Sequence, residues 1–304
     1  MLGVAKRGYF QKTKLQDAIA GYVFILPNLI GFLVFVLGGL VFSLFISFTD
    51  WNLLRDFNTM KFVGFRNYID LVTDRWFIDS LLNNLWFLCI IPIQVFLAMI
   101  VANLLNGRIF ARSVLRAMYY IPYITSLVAV SVVWMTLLHP RFGPINRFIM
   151  LFGVKNPPKW LADVFWAKPA VAIIMIWQQL GYHALLYLAA LQTIPKELFE
   201  AARIDGANKF QQFFKITIPM ISPTTFLIVV LALISSFQSW SIIQILTQGG
   251  PGTATHTLGY YIYVVAFKFF RMGYASSIAW VLFVITFIIT IIQWRGQKKW
   301  VVYM

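Results

Sequence analysis

Long runs without a charged residue alternate along this chain with short polar segments in which nearly all of the charge is gathered. A helix rises about 1.5 Å per residue, so about 20 uncharged residues cross the hydrocarbon of a bilayer. Six runs reach that length, at residues 22–48, 81–106, 117–138, 169–194, 219–246 and 274–294, and none contains Asp, Glu, Lys or Arg. The pattern predicts an all-α polytopic membrane protein with six transmembrane helices over residues 22–295, a basic arm at 1–21 and a polar tail at 296–304. The first run is too long for a signal-peptide core of roughly 7 to 15 residues and reads as a retained anchor. Residues 258–267 are apolar but too short to cross, and with the surrounding 247–273 they read as an outer loop with an interfacial or re-entrant helix.

Composition agrees with lipid as the solvent: 60% of residues are hydrophobic and 12% charged, which leaves too little polar surface for a water-soluble globule of 304 residues. The net charge of +15 comes from Lys and Arg clustered at the flanks of the apolar runs, with no continuous basic stripe of the kind that reads nucleic acid. Placing Lys6, Arg7, Lys12 and Lys14 in the cytoplasm puts Arg108, Arg112 and Arg116, and also Arg295, Lys298 and Lys299, on the same side, so both termini are expected to be cytoplasmic. The first outer segment, 50–79, carries five Asp, as a translocated loop can. Segment 139–168 runs against the rule, with Arg141, Arg147, Lys155, Lys159 and Lys168 against Asp163, yet the count of spans places it outside. Trp51, Trp76, Tyr119, Tyr120, Trp160, Trp166, Trp294 and Trp300 fall near span ends, where aromatic rings favour the headgroup layer.

Chemistry of the catalytic kind is absent from the pattern. The one cysteine, Cys89, lies in an apolar run, and His139, His183 and His256 have no metal-ligand spacing, so neither a catalytic residue nor a metal site is assigned. No Asp, Glu, Lys or Arg falls inside a span, which disfavours a carrier driven by protons or sodium through buried carboxylates, and no GxxxxGK[ST] phosphate loop is present. Energy must then be supplied by a separate subunit.

The informative polar segment is 195–219. Pro195 suits a first helical turn, Glu197 and Glu200 sit near the positive end of the helix dipole, and Gly206 can adopt the left-handed stop. Asn208 with Gln211 has the capping-box spacing for a second helix, which Pro219 ends. Leu198, Ala201, Ala202 and Asp205 share one face of the first helix. The result is a helix–turn–helix knob that can transmit a rigid-body push, or an amphipathic loop packed on its own bundle.

The string Glu200-Ala201-Ala202, three residues, Gly206, nine residues, Ile216-x-Ile218-Pro219 resembles the EAA loop of binding-protein-dependent ABC importer permeases, with Ile218 where the pattern has Leu. Ser47-Phe-Thr-Asp-Trp-Asn52, Phe62-Val-Gly-Phe-Arg-Asn-Tyr68, residues 188–198 and Thr247-Gln-Gly-Gly-Pro-Gly252 look like the sugar-uptake branch, in its maltose- and glycerol-phosphate-type first permease. The resemblance implies type I ABC importer permease architecture in a bacterial or archaeal cytoplasmic membrane. It implies a second permease subunit, two ATP-binding subunits, an extracytoplasmic solute-binding protein and a sugar substrate as partners. No cofactor is expected on this chain, because ATP and Mg would be held by the partner ATPase. Glu200, Ala201, Ala202, Asp205, Gly206, Ile216 and Pro219 would couple to that ATPase.

Two spans hold polar and aromatic residues that are unusual in lipid: Trp177, Gln178 and Tyr182 in the fourth, and Phe237, Gln238 and Trp240 in the fifth. Amides beside aromatic faces suit the hydroxyls and C–H faces of sugars, so these six are assigned to a substrate path; the alternative is hydrogen-bonding glue between helices. Gly249, Gly250 and Pro251 follow on the outer side and are assigned to a gate or a receptor contact, against the alternative of a plain tight turn.

Overall fold

A computed structural model describes Asp17, residues 19–107 and residues 110–302; Lys6, Arg7, Lys12, Lys14 and Arg108 lie outside the described residues. Every regular element among the described residues is helical, apart from one isolated antiparallel bridge between Thr49 and Phe62. Four helices are long and apolar enough to span a membrane singly: Ile19–Ser47 (α1), Arg75–Asn106, Val164–Thr193 (α8) and Met272–Gln297 (α14). Two bent pairs bring the number of candidate spans to six.

α1 stands at the periphery and touches mainly α14, where the Trp280 indole N–H donates to Ser43 Oγ at 3.2 Å. Phe24 and Phe35 are 85% and 83% exposed, an arrangement that lipid tolerates and water does not. After the short helix Arg66–Thr73 (α2), the second span comprises Arg75–Leu88 (α3) and Ile91–Asn106 (α4), and it begins ahead of the apolar run because Asp74 caps it. The Asp74 carboxylate accepts the N–H groups of Trp76 (2.9 Å) and Phe77 (3.3 Å), so a charged first turn is stable outside the hydrocarbon. Asp163 starts α8 in the same way, through Phe165 and Trp166. Hydropathy marks the hydrocarbon; caps mark the helix.

The third and fifth predicted spans need correction. Residues 117–138 are not one helix: Arg112–Ile124 (α5) and Leu127–Leu137 (α6) meet at 98°. Thr125 and Ser126 between them are extended, just past Pro122, which has no N–H to give to the helix ladder. Residues 219–246 divide into Ser222–Phe237 (α11) and Trp240–Leu246 (α12), separated at Gln238 and Ser239. The chain enters α11 from Lys209–Met220 (α10) through a 66° bend.

The main core lies where α4, α8 and α11 meet. Ala98, Ala102, Ala184 and Ala232 are fully buried there, small enough to let the backbones approach closely. Tyr187 is wholly enclosed and its hydroxyl donates to Thr225 Oγ1 at 3.0 Å. Gly181 marks the tightest crossing, since a Cβ there would overlap the carbonyl oxygen of Tyr119 on α5.

At the opposite end from the 195–219 segment, Leu258–Tyr263 (α13) packs inside the bundle rather than along its surface. Leu258, Tyr260, Tyr261, Val264 and Val265 are all buried, which favours the re-entrant alternative over an interfacial helix. The reason is polar: the Tyr261 and Tyr274 hydroxyls both donate to Asp74 Oδ2, the latter at 2.6 Å, and so draw the segment inward. A further short helix, Pro144–Leu151 (α7), interrupts segment 139–168.

Candidate functional site

The 195–219 segment folds as two helices, Lys196–Ile204 (α9) and α10, projecting from the ends of α8 and α11. Gly206 takes φ +78° and ends α9, with the Ala207 N–H returning to the Ala202 carbonyl at 2.8 Å. The capping box is complete: Asn208 Oδ1 accepts the Gln211 N–H at 2.8 Å and Gln211 Oε1 accepts the Asn208 N–H at 2.9 Å. Glu200, Ala201 and Asp205 are exposed, Ala202 is half-buried, and Ile216 and Pro219 are half-buried against the foot of α11. Ile204 and Phe210 are 86% and 72% exposed beside the turn, a pair of large apolar side chains left largely uncovered among the described residues. Pro195 sits one place earlier than expected, as the residue before the helix rather than in its first turn.

Both helix breaks face one hollow of about 420 Å³. Gln178 and Tyr182 reach it from α8, Gln238 from the break after α11, and Tyr123 from the end of α5. The Tyr123 and Tyr182 rings are stacked 4.4 Å apart at an interplanar angle of 6°, giving an aromatic wall beside two primary amides. Three residues expected in the path are elsewhere. Trp177 packs edge-on to Trp134 of α6 at 5.4 Å. Phe237 is in the main core, and Trp240 stacks on Tyr263 at 5.2 Å around a different, apolar hollow.

Along the same hollow runs a polar chain whose members the sequence reading left out of the assigned path. Gln94 Nε2 lies 3.1 Å from both Gln179 Oε1 and His183 Nδ1, and Gln179 Nε2 donates to Ser235 Oγ at 2.9 Å. It ties α4, α8 and α11 together, so Gln179 and His183 line the hollow and also hold the helices, while Gln178 and Gln238 have no hydrogen-bond partner among the described residues. Adjacent glutamines on a helix point about 100° apart, and only tertiary packing decides which faces inward. Tyr123 had a weak signal, as the last of three tyrosines around Pro122.

The 247–257 segment is fastened to α3. Asn83 donates to the carbonyls of Thr253 (2.7 Å) and His256 (2.8 Å), Asn84 Oδ1 accepts the Leu258 N–H (2.7 Å), and Thr253 donates to Asp79 (2.8 Å). Gly249 has φ +82° and is pressed on the His256 and Tyr260 rings; Gly250 accepts from Thr255 Oγ1 at 2.9 Å, and Pro251 stands half-exposed at the rim. His256, with Ser80 Oγ 2.9 Å from its Nδ1, is buried, and that burial pushes its pKa down to about 4 although Asp79 and Asp74 pull it up. Burial acts to raise the Asp74 pKa, but the Tyr261 and Tyr274 hydroxyls and the helix N–H groups outweigh it and hold the carboxyl below its usual value. Among the described residues no cluster of three His, Cys, Asp or Glu could hold a metal ion.

The family described as binding-protein-dependent transport system inner membrane component matches residues 94–297. A probable ABC transporter permease of Bacillus subtilis, YurN, is 35% identical over 287 residues, covering 93% of this chain and 97% of its own. The trehalose/maltose transport system permease MalF of Thermococcus litoralis is 33% identical over 288 residues, with coverage of 92% and 94%. A chain of a bacterial alginate ABC transporter, solved with a pentasaccharide-bound periplasmic protein, superposes with a TM-score of 0.82 over 94% of this chain and 96% of that one. At 22% identity this last likeness is one of fold.

Proposed function

This chain belongs to the family of binding-protein-dependent transport system inner membrane components, and from that premise we propose that it is a permease subunit of an ATP-driven sugar importer. The observation that carries the reading is the α9–α10 hairpin, a capped and rigid knob with uncovered apolar side chains, joined directly to the span that walls the hollow. A push on α9 and α10 is delivered through the 66° bend into α11, whose far end carries Gln238. A stiff helix pair moves as a body, so such a push changes the distance between the Gln238 wall and the Gln178–Tyr182 wall.

In this reading the hairpin seats on a separate ATPase through Glu200, Ala201, Ala202, Asp205 and Gly206, and a second permease closes the open side of the hollow. Two ATPase subunits bind ATP and Mg, and this chain holds no cofactor. The hairpin end is cytoplasmic with both termini, in a bacterial or archaeal plasma membrane, and the 247–257 segment faces outward. There the exposed rim at Gln248, Pro251 and Gly252 meets the docked binding protein, while Gly249 is held inside. The sugar assignment rests on a relative whose name specifies trehalose and maltose, and on the paired amides and stacked tyrosines, which match hydroxyls and C–H faces. It is tested by reconstituting the complex in proteoliposomes and measuring ATP hydrolysis against a panel of di- and oligosaccharides presented by the binding protein. Stimulation by one or a few sugars is expected. Stimulation by amino acids instead, with none by any sugar, would overturn the substrate class.

A further inference from the structure

The hollow between α5, α8 and α11 presents polar groups of one electrical kind. Glutamine amides, serine hydroxyls, two tyrosines and an imidazole face it, and none of the described residues that line it is Asp, Glu, Lys or Arg. Amides and hydroxyls both donate and accept and carry no charge. The imidazole of His183 is the one lining group that could be cationic near neutral pH, and its hydrogen bonds settle its form.

Gln94 Nε2 lies 3.1 Å from both Gln179 Oε1 and His183 Nδ1. An amide nitrogen only donates, so His183 Nδ1 accepts, the ring proton sits on Nε2 and the ring is neutral. The Nε2–H has no partner among the described residues and is left for an occupant of the hollow. Ser235 Oγ accepts from Gln179 at 2.9 Å and keeps its own proton free in the same way. Turning both amides over reverses every link of this chain: Gln179 Nε2 and His183 Nδ1–H then donate to Gln94 Oε1, Ser235 donates to Gln179 Oε1, and His183 Nε2 becomes an acceptor. In both directions one ring nitrogen keeps its lone pair and the ring stays uncharged. A hydroxyl, itself donor and acceptor, fits either direction. A carboxylate or phosphate meets no cation on these walls and would lose its hydration without a counter-charge.

We propose that the hollow selects an uncharged glycan segment over a uronate, a sugar phosphate or a sugar sulfonate, and that His183, held in register by Gln94, is a residue that sets this choice. The proposal deepens the sugar-importer reading and rests on it. His183 touches the solute through Nε2, whereas Gln94 acts through His183 and is a positioning residue.

The test uses the complete transport complex with its solute-binding protein in proteoliposomes. Uptake of neutral oligosaccharides is measured against oligosaccharides of equal length that carry a uronate carboxylate, a phosphate or a sulfonate. Wild type is expected to take up uncharged sugars alone. His183→Leu should lower the maximal uptake rate roughly tenfold, the loss of about one well-made hydrogen bond, with the half-saturating concentration of loaded binding protein unchanged. His183→Gln, which keeps a donor and an acceptor, should restore most of the rate, and Gln94→Leu should lower the maximal rate by a smaller factor. Faster uptake of an anionic sugar than of its neutral counterpart would overturn the selectivity. Wild-type rates in both Leu variants, or a loss in His183→Gln as large as in His183→Leu, would remove His183 from the recognition. Uptake of no sugar, charged or uncharged, would sink the sugar-importer reading itself, an outcome distinct from the others.

Discussion

At the scale of single residues, neighbouring side chains of one type do different work, and the division follows from where their helices point. Gln178 and Gln238 face the hollow with no hydrogen-bond partner among the described residues, whereas Gln179, on the same hollow, is held in the hydrogen-bonded chain from His183 to Ser235. Replacing Gln178 and Gln238 by Leu should abolish uptake while the complex assembles normally, as judged by size-exclusion chromatography beside transport; normal uptake would remove both from the path. Two groups at the outer end, buried His256 and half-buried Asp74, respond to acid. His256 has a folded pKa of about 4 against an ordinary value of 6.5, so the unfolded chain takes up the proton first and stability falls as pH drops through that interval. Asp74, held below 3.8, acts in the same direction below its ordinary value. Thermal unfolding between pH 7 and pH 4.5 should therefore show a declining midpoint, with a smaller decline in His256→Gln, although the groups facing the ring, Asp79, Asp74 and Lys268, stay in place.

At the scale of elements, the hairpin was legible in the sequence and the breaks in the spans were not. A left-handed stop at Gly206 and a reciprocal cap between Asn208 and Gln211 are local hydrogen-bonding devices, set by residues a few places apart, and each forms as its spacing predicts. The 98° bend inside 117–138 leaves hydropathy unchanged, because Thr125 and Ser126 are as acceptable beside an open hollow as a continuous helix would be in lipid. Likewise α13 reads as either an interfacial or a re-entrant helix until Asp74, nearly 200 residues away, gives its Tyr261 a half-buried acceptor. Glu200→Lys tests the hairpin as a docking face: it reverses a charge on an exposed helix without touching a cap or the core. It should leave the helical content unchanged by circular dichroism but abolish sugar-stimulated ATP hydrolysis; full stimulation would move the coupling elsewhere.

At the scale of the whole molecule, the exposed apolar surface is divided by function. The peripheral α1 meets lipid, the hollow between α8 and α11 is open on one side, and the hairpin leaves Ile204 and Phe210 uncovered. In the proposed reading a second permease closes the hollow and the ATPase covers the hairpin. The most direct test is to purify the tagged chain in mild detergent and identify what accompanies it, for the wild type and for Gly206→Pro. Proline fixes φ near −65°, whereas the chain needs +78° at this turn, so the knob is deformed while the spans are not. The account predicts a second permease and an ATPase bearing GxxxxGK[ST] with the wild type, and loss of the ATPase with the second permease retained for the variant. Recovery of the chain alone from the wild type, or an ATPase bound equally well by the variant, would contradict it.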